Sequence, residues 1–346
     1  MSALATDIVT GAIFGSALTA AGVYQPSVIF SQMQLRSYHM LQVFLGASAT
    51  SALLVHIASR TNHCPVQTRS PSSLGRVPYI GNIIGGLMIG IGMATTGACP
   101  GTVIVQSALG VSSGPYVACG GVLGGITSVK LLPILKRTFP DRAITSNKAT
   151  ENGKNEVKKF VPTQAHTVHE KYGYSINTVL FVYEVLCLGM IATTTIFAPS
   201  TSAYFSPMLG GLFIGGAQAC SIVLSRKTLG VSTGYEQIGQ AFWSVASPST
   251  GNGPLSYNSI RFALGVFLGA RALATYIPAL VSAEAAVSVP RITAVVGGAV
   301  MVFGARLAGG CTSGHGISGM ATMSLASFYT VAAMFTGGIS YSLLPS

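Results

Sequence analysis

The sequence predicts an all-α, polytopic integral membrane protein of about nine transmembrane helices plus short half-helices, with two halves related as inverted repeats. Three observations carry that prediction. Charged residues make up only 8% of the chain, against roughly 25% in an ordinary soluble domain, and the mean hydropathy is +0.58. Apolar segments near the ~20-residue length of a spanning helix recur from one end to the other. Finally, Gly97-Ala98-Cys99-Pro100-Gly101 returns 212 positions later as Gly309-Gly310-Cys311-Thr312-Ser313, inside segments that align without a gap.

So few charges cannot cover a water-exposed surface. Helices follow because backbone groups in lipid must be paired within their own segment; a barrel would show alternating strands of about ten residues. The spans fall at 7–24, 38–58, 79–97, 114–136, 175–197, 204–224, 258–281, 290–308 and 323–344, with pieces too short to cross at 101–110 and 312–322. The hydrophilic stretch 138–172 separates an N-terminal membrane repeat, 1–137, from a C-terminal one, 173–346. Residues 130–171 hold nine lysines and arginines against four acids, the composition of a solvated basic linker.

The net charge of +11 sits mostly in loops, so a positive-inside bias accounts for it and nucleic acid is not an expected partner. Counted from an inside N-terminus, Arg60, Arg69 and Arg76, the linker, and Arg226-Lys227 all fall on one face. That face is expected to be cytoplasmic, and the membrane to be the plasma membrane. Span 79–97 then runs outward to Cys99, and span 290–308 runs inward to Cys311. Inverted repeats of this kind place a transport site at their interface; the plainer reading is a duplication whose 42 glycines permit tight packing. Leu109-Gly110-Val111-Ser112-Ser113-Gly114 recurs as Leu229-Gly230-Val231-Ser232-Thr233-Gly234, and the N-terminal Gly22-Val23-Tyr24-Gln25-Pro26 is a further candidate copy.

At each cysteine the local chemistry ends a helix. Pro100 lacks an amide hydrogen and restricts the residues before it, while Gly97 and Gly101 reach backbone angles closed to other residues. With Ala98 and Cys99 they form the first break. The second is built from Gly310, Cys311, Thr312, Ser313 and Gly314, where the two hydroxyls can cap a restarting helix. Two half-helix N-termini converging from opposite leaflets make an anion site. A thiol, weak as donor and polarizable as acceptor, suits a soft sulfur-bearing anion. The alternative is that both cysteines are small residues at tight breaks.

Arg306 is the costliest residue in the spans; it serves as a counter-charge or pairs structurally, for example with Glu184. His315 donates to an anion, shuttles a proton, or satisfies a carbonyl. The six cysteines show no CxxC pair and no zinc spacing, so no disulfide framework, metal or other cofactor is expected. Transport is the leading reading and catalysis is not expected. The competing classes are a membrane thiol redox enzyme cycling Cys99 and Cys311 through a disulfide, and a channel for another small solute.

The run Gly309-Gly310-Cys311-Thr312-Ser313-Gly314-His315-Gly316-Ile317-Ser318-Gly319, together with Gly97-Ala98-Cys99-Pro100-Gly101 and Gly304-Ala305-Arg306, resembles the YeeE/YedE sulfur-transport family. The N-terminal Gly22-Val23-Tyr24-Gln25-Pro26-Ser27 resembles it too, so nearly the whole chain is covered. The resemblance implies a thiosulfate importer in the lipid bilayer, with an hourglass-shaped helical body and substrate passed between thiols by transient S–H···S hydrogen bonds. Cys99 and Cys311 match two of the family's three central cysteines. Tyr24 stands where the third is expected, which leaves a two-thiol path or an altered substrate preference. An intracellular sulfur-accepting protein is the partner such an importer would supply.

Overall fold

A computed structural model of the chain describes residues 3–61, 68–74, 77–139, 166–197, 205–247, 256–281 and 287–344. The expected Arg76, Cys64 and most of the basic linker lie outside them. In chain order the helices are α1 (Ala3–Ala20), α2 (Pro26–Met33), α3 (His39–Arg60), α4 (Ile80–Thr96), α5 (Thr102–Ala108), α6 (Gly114–Thr138), α7 (Val168–Tyr172), α8 (Ile176–Phe197), α9 (Pro207–Ser225), α10 (Ser232–Ala246), α11 (Asn258–Tyr276) and α12 (Arg291–Ala308), then a π-helical turn (Ser313–Gly319) and α13 (Leu325–Ser342). Six of them (α1, α3, α6, α8, α9 and α12) are long and apolar enough to cross a bilayer by length and composition. Together with α4, α11 and α13 they make nine described helices of 17 residues or more, one for each expected span. This is a multi-pass integral membrane protein.

Glycine sets how these helices meet. A methyl group on Gly85 would lie 2.5 Å from the carbonyl oxygen of Gly304, and one on Gly92 would lie 2.8 Å from that of Gly297. The pairing runs Gly85 to Gly304 and Gly92 to Gly297, so α4 and α12 are antiparallel. Gly85 and Gly297, and Gly92 and Gly304, are also the repeat equivalents at the 212-residue offset. The two helices therefore cross about a pseudo-two-fold axis, which is the geometry of an inverted repeat. The flanking contacts repeat as well: α4 packs on α13 through Gly86 and Gly90, and α12 packs on α6 through Gly298. Without water between them, membrane helices gain from this close van der Waals approach.

Four long helices end alike. Gly22, Gly97, Arg226 and Gly309 all carry positive φ, at +70°, +62°, +54° and +84°, just beyond α1, α4, α9 and α12. Each is followed by a few irregular residues and then a new helical segment: α2, α5, α10 or the π-helical turn. A left-handed residue at this position stops a helix by turning the chain back on its last carbonyls. The broken segments at 101–110 and 312–322 are thus present as α5 and the π-helical turn, and two further ones, α2 and α10, accompany them.

The last residues of the basic stretch are ordered against the bundle. Thr167 pairs with Ser324 and opens α7 with a reciprocal capping box to Glu170. Burial pushes the Glu170 carboxyl up, but hydrogen bonds from Thr167 and His166 outweigh it and hold the group below its ordinary range. Helix α8 lies at the periphery and turns Phe181, Leu186, Ile196 and Phe197 outward, a surface suited to lipid.

Candidate functional site

At the first break the chain leaves α4 through Gly97 and doubles back. The carboxamide of Gln106, on α5, donates to the carbonyl of Gly97 at 2.8 Å and to that of Tyr24 at 2.7 Å, tying this break to the N-terminal one. Ala98 is fully buried. The amide of Cys99 donates to Thr102 Oγ1 at 2.8 Å, and in return the Thr102 amide and hydroxyl each lie 3.4 Å from Cys99 Sγ. The sulfur therefore sits over the first amides of α5, as a capping acceptor would.

At the second break Cys311 Sγ lies 3.3 Å from Ser313 Oγ, and Ser318 Oγ donates to the carbonyl of Leu229 at 2.9 Å. Val231 belongs to the break after α9. Its side chain lies 3.7 Å, and Cys99 Sγ 3.9 Å, from where a methyl on Gly101 would stand. The 229–232 segment is thus the wedge between the two cysteine motifs. Tyr235 reinforces it: its hydroxyl donates to the carbonyl of Pro100 at 3.2 Å.

A cavity of about 50 Å³ opens beside Cys99. Cys99, Gly101, Thr102, Thr312 and Ser313 line it on one side, and Phe14, Met40, Phe44 and Ile317 are among the apolar residues opposite. Its volume suits a few waters or one small polyatomic ion, since a single water needs roughly 10–15 Å³ on this measure. The wall uses the N-terminal half of α3, from Met40 to Ala47. Cys311, next in sequence to Thr312 and Ser313, is not among the lining residues. The far end of α3 leads toward the second break.

That other end supplies a residue the sequence reading left in a loop. Ser72 Oγ donates to the carbonyl of Leu307 at 2.6 Å, Ser72 N donates to Asn82 Oδ1 at 2.7 Å, and Asn82 Nδ2 reaches the carbonyl of Ala308 at 2.9 Å. These bonds fold the segment after α3 under the end of α12. They carry Arg69 to the break, where its Nη1 donates to the carbonyl of Gly309 at 3.2 Å. Nothing local in the sequence marks Arg69, because its placement depends on bonds to residues more than 200 positions away. The wedge at 229–234 did leave a signal, its echo of 109–114.

The remaining candidates divide. Gly310 and Gly314 face the Arg69 guanidinium. Thr312 turns its hydroxyl to the sulfurs of Met93 and Met334, at 3.8 and 3.6 Å. His315 commits both ring nitrogens to the protein, Nδ1 to Ser327 at 3.0 Å and Nε2 to the carbonyl of Ala308 at 3.2 Å; of its expected roles, carbonyl satisfaction is the one this geometry provides. Arg306 pairs with Glu236 on α10 rather than with Glu184, because α10 packs against α12 while Glu184 sits on peripheral α8. Tyr24 is buried beside α5, and its neighbour Val23 is the one that lines the cavity.

The pattern of the sulphur transport family matches residues 20–340. The chain belongs to that family. Among its relatives, the thiosulfate transporter TsuA of Spirochaeta thermophila is 22% identical over 330 residues, 93% of each chain. A probable transporter of Xylella fastidiosa strain 9a5c is 29% identical over 139 residues, covering 40% of this chain and 93% of its own. As a member of the sulphur transport family the protein is a membrane transporter of sulfur compounds, and the two interrupted helices lie within the matched region.

Proposed function

We propose that the protein imports thiosulfate, or a closely related sulfur anion, along a path that runs from the cavity beside Cys99 past the 229–232 wedge to Cys311. The observation that carries this reading is the pair of thiols at symmetry-related helix breaks, each within hydrogen-bond distance of a hydroxyl of the restarting segment. In this reading each sulfur exchanges a weak S–H···S contact with the terminal sulfur of the substrate, and polar donors beside it favour negative charge. Likeness to TsuA over most of both chains supports thiosulfate as the substrate. The path residues are Cys99, Gly101, Thr312 and Ser313 at the cavity and Cys311, Gly310 and Gly314 beyond it; Gly97, Ala98 and Pro100 shape the first break.

The basic loops, with the linker 138–172, mark the cytoplasmic face of a plasma membrane, which puts the cavity on the outer side and Arg69 on the inner. The membrane repeats are 1–137 and 173–346. A soluble sulfur-accepting protein inside the cell would take the product of this import.

Uptake of ³⁵S-thiosulfate by a cell lacking its own sulfur importers tests the reading. Cys99→Ala and Cys311→Ala should each reduce uptake to background while the protein still inserts in the membrane. Full uptake by both variants would defeat the thiol path.

A further inference from the structure

Arg69 is half-buried beneath the second helix break, yet among the described residues its guanidinium makes a single hydrogen bond, to the carbonyl of Gly309. A guanidinium carries five N–H donors in a planar fork. Among the described residues there are two ion pairs, Lys227 with Asp7 and Arg306 with Glu236, and Arg69 belongs to neither. The nearby Arg306 has its charge matched by Glu236; the Arg69 charge has no such match.

Glycines from two breaks stand against this cation, and the His315 ring lies 3.0 Å from where a methyl on Gly310 would be. A methyl on Gly314 would lie 3.2 Å from Arg69 Nη2 and 3.9 Å from Cys311 Sγ, so the fork and the thiol border the same small gap. A methyl on Gly230 would stand 3.7 Å from Nη2, and one on Gly310 would stand 3.7 Å from Cζ. Three glycines from two different breaks thus form a cradle around the guanidinium. Its backbone is also fixed from a third direction, because Ser324 Oγ donates to the Arg69 carbonyl at 3.0 Å.

We propose that Arg69 binds the oxyanion end of the transported sulfur anion in this cradle while the anion's sulfur meets Cys311. The assignment rests on the transport reading above and adds a specificity-determining residue to it. A planar fork matches two oxygens of an oxyanion at once, and the soft end of the same ion is left for the thiol. An ion with a sulfur at one end and oxygens at the other satisfies both groups together, whereas a halide or an organic thiol satisfies one of them.

The test uses the full-length protein in membranes, with Arg69→Gln and Arg69→Lys. Glutamine keeps a donor for Gly309 and removes the charge. Arg69→Gln should raise the KM for ³⁵S-thiosulfate by roughly ten- to hundredfold, the worth of a hydrogen bond to a charged group, and Arg69→Lys should recover part of that loss. The second readout is independent of uptake. Methanethiosulfonate reagents bearing a sulfonate or a trimethylammonium group modify Cys311, and mass spectrometry reads each site. In Arg69→Gln the anionic-to-cationic rate ratio at Cys311 should fall about tenfold, in the range expected for loss of a partly buried charge, with the ratio at Cys99 unchanged. Uptake that falls while the Cys311 ratio stays constant would make Arg69 a brace for the helix end and overturn the proposal. Normal KM and normal ratio would overturn it too, leaving the transport reading intact. If wild type takes up no thiosulfate while the ratio still falls, transport of thiosulfate fails and the anion cradle stands.

Discussion

At Cys99 the sulfur receives the amide and hydroxyl of Thr102, borders a cavity walled mostly by apolar side chains, and has no charged residue on that wall. At Cys311 the sulfur lies 3.3 Å from the Ser313 hydroxyl, and an arginine from a distant loop borders the same glycine, Gly314. The backbone plan is the same at both breaks; the charge is not. The matched helix breaks therefore supply symmetry of geometry, and the loop after α3 supplies asymmetry of charge. On the proposed path, an anion at the second break would meet a positive charge that the first lacks.

The sharpest way to separate the two breaks is to fill their left-handed glycines. Gly97 and Gly309 both carry positive φ, where a Cβ costs roughly 1–2 kcal/mol. At Gly97 that Cβ would also press to 2.7 Å from Phe30 and 2.8 Å from Pro26, whereas at Gly309 nothing lies within 4 Å. Overpacking adds about 1–3 kcal/mol, so Gly97→Ala should destabilise by about 2–5 kcal/mol and Gly309→Ala by about 1–2 kcal/mol. Thermal unfolding in detergent measures both. Equal losses would mean that α2 yields freely, and that the first break is no more rigid than the second.

A smaller effect probes the donors at the neutral end. Thr102→Val keeps the shape of the side chain and removes the hydroxyl that accepts from the Cys99 amide and lies against its sulfur. Loss of such a cap costs about 1 kcal/mol. It should also lower uptake without changing the charge preference of alkylation at Cys311. A changed preference there would show that the two breaks move as one unit.

How much of this was legible beforehand follows from what each residue depends on. The nine spans and the two interrupted helices are written in local composition and in the glycine, proline and cysteine spacing, and the antiparallel crossing of α4 and α12 follows from a repeat that the sequence displays. The backbone role of Arg226 has no local signal: it takes the left-handed angle that glycine takes at the other breaks, and the adjacent Lys227 lies 3.9 Å from Asp7. Arg69 was equally hidden. Its loop is basic, which fits a cytoplasmic face, but the bonds from Ser72 and Asn82 that fold it inward join residues with no sequence signal in common. The partner of Arg306 was misassigned for the same reason: which acid faces a span depends on helix packing, and spacing along the chain does not encode it.

The smallest expected effect concerns the residue that joins the wedge to the first break. Tyr235 lies on α10 and donates to the carbonyl of Pro100. It is nearly buried, and a methyl on Gly121 would stand 2.9 Å from its ring, so most of its hold on the wedge is packing. Tyr235→Phe keeps that packing and leaves one carbonyl unpaired, a cost of about 0.5–1.5 kcal/mol. If the wedge merely spaces the thiols apart, unfolding should shift by that amount and KM should stay as it is. If instead the hydroxyl meets the substrate between the two sulfurs, KM for thiosulfate rises while stability barely moves. That split decides whether the passage from the neutral break to the cationic one has an intermediate polar contact or is crossed in a single step.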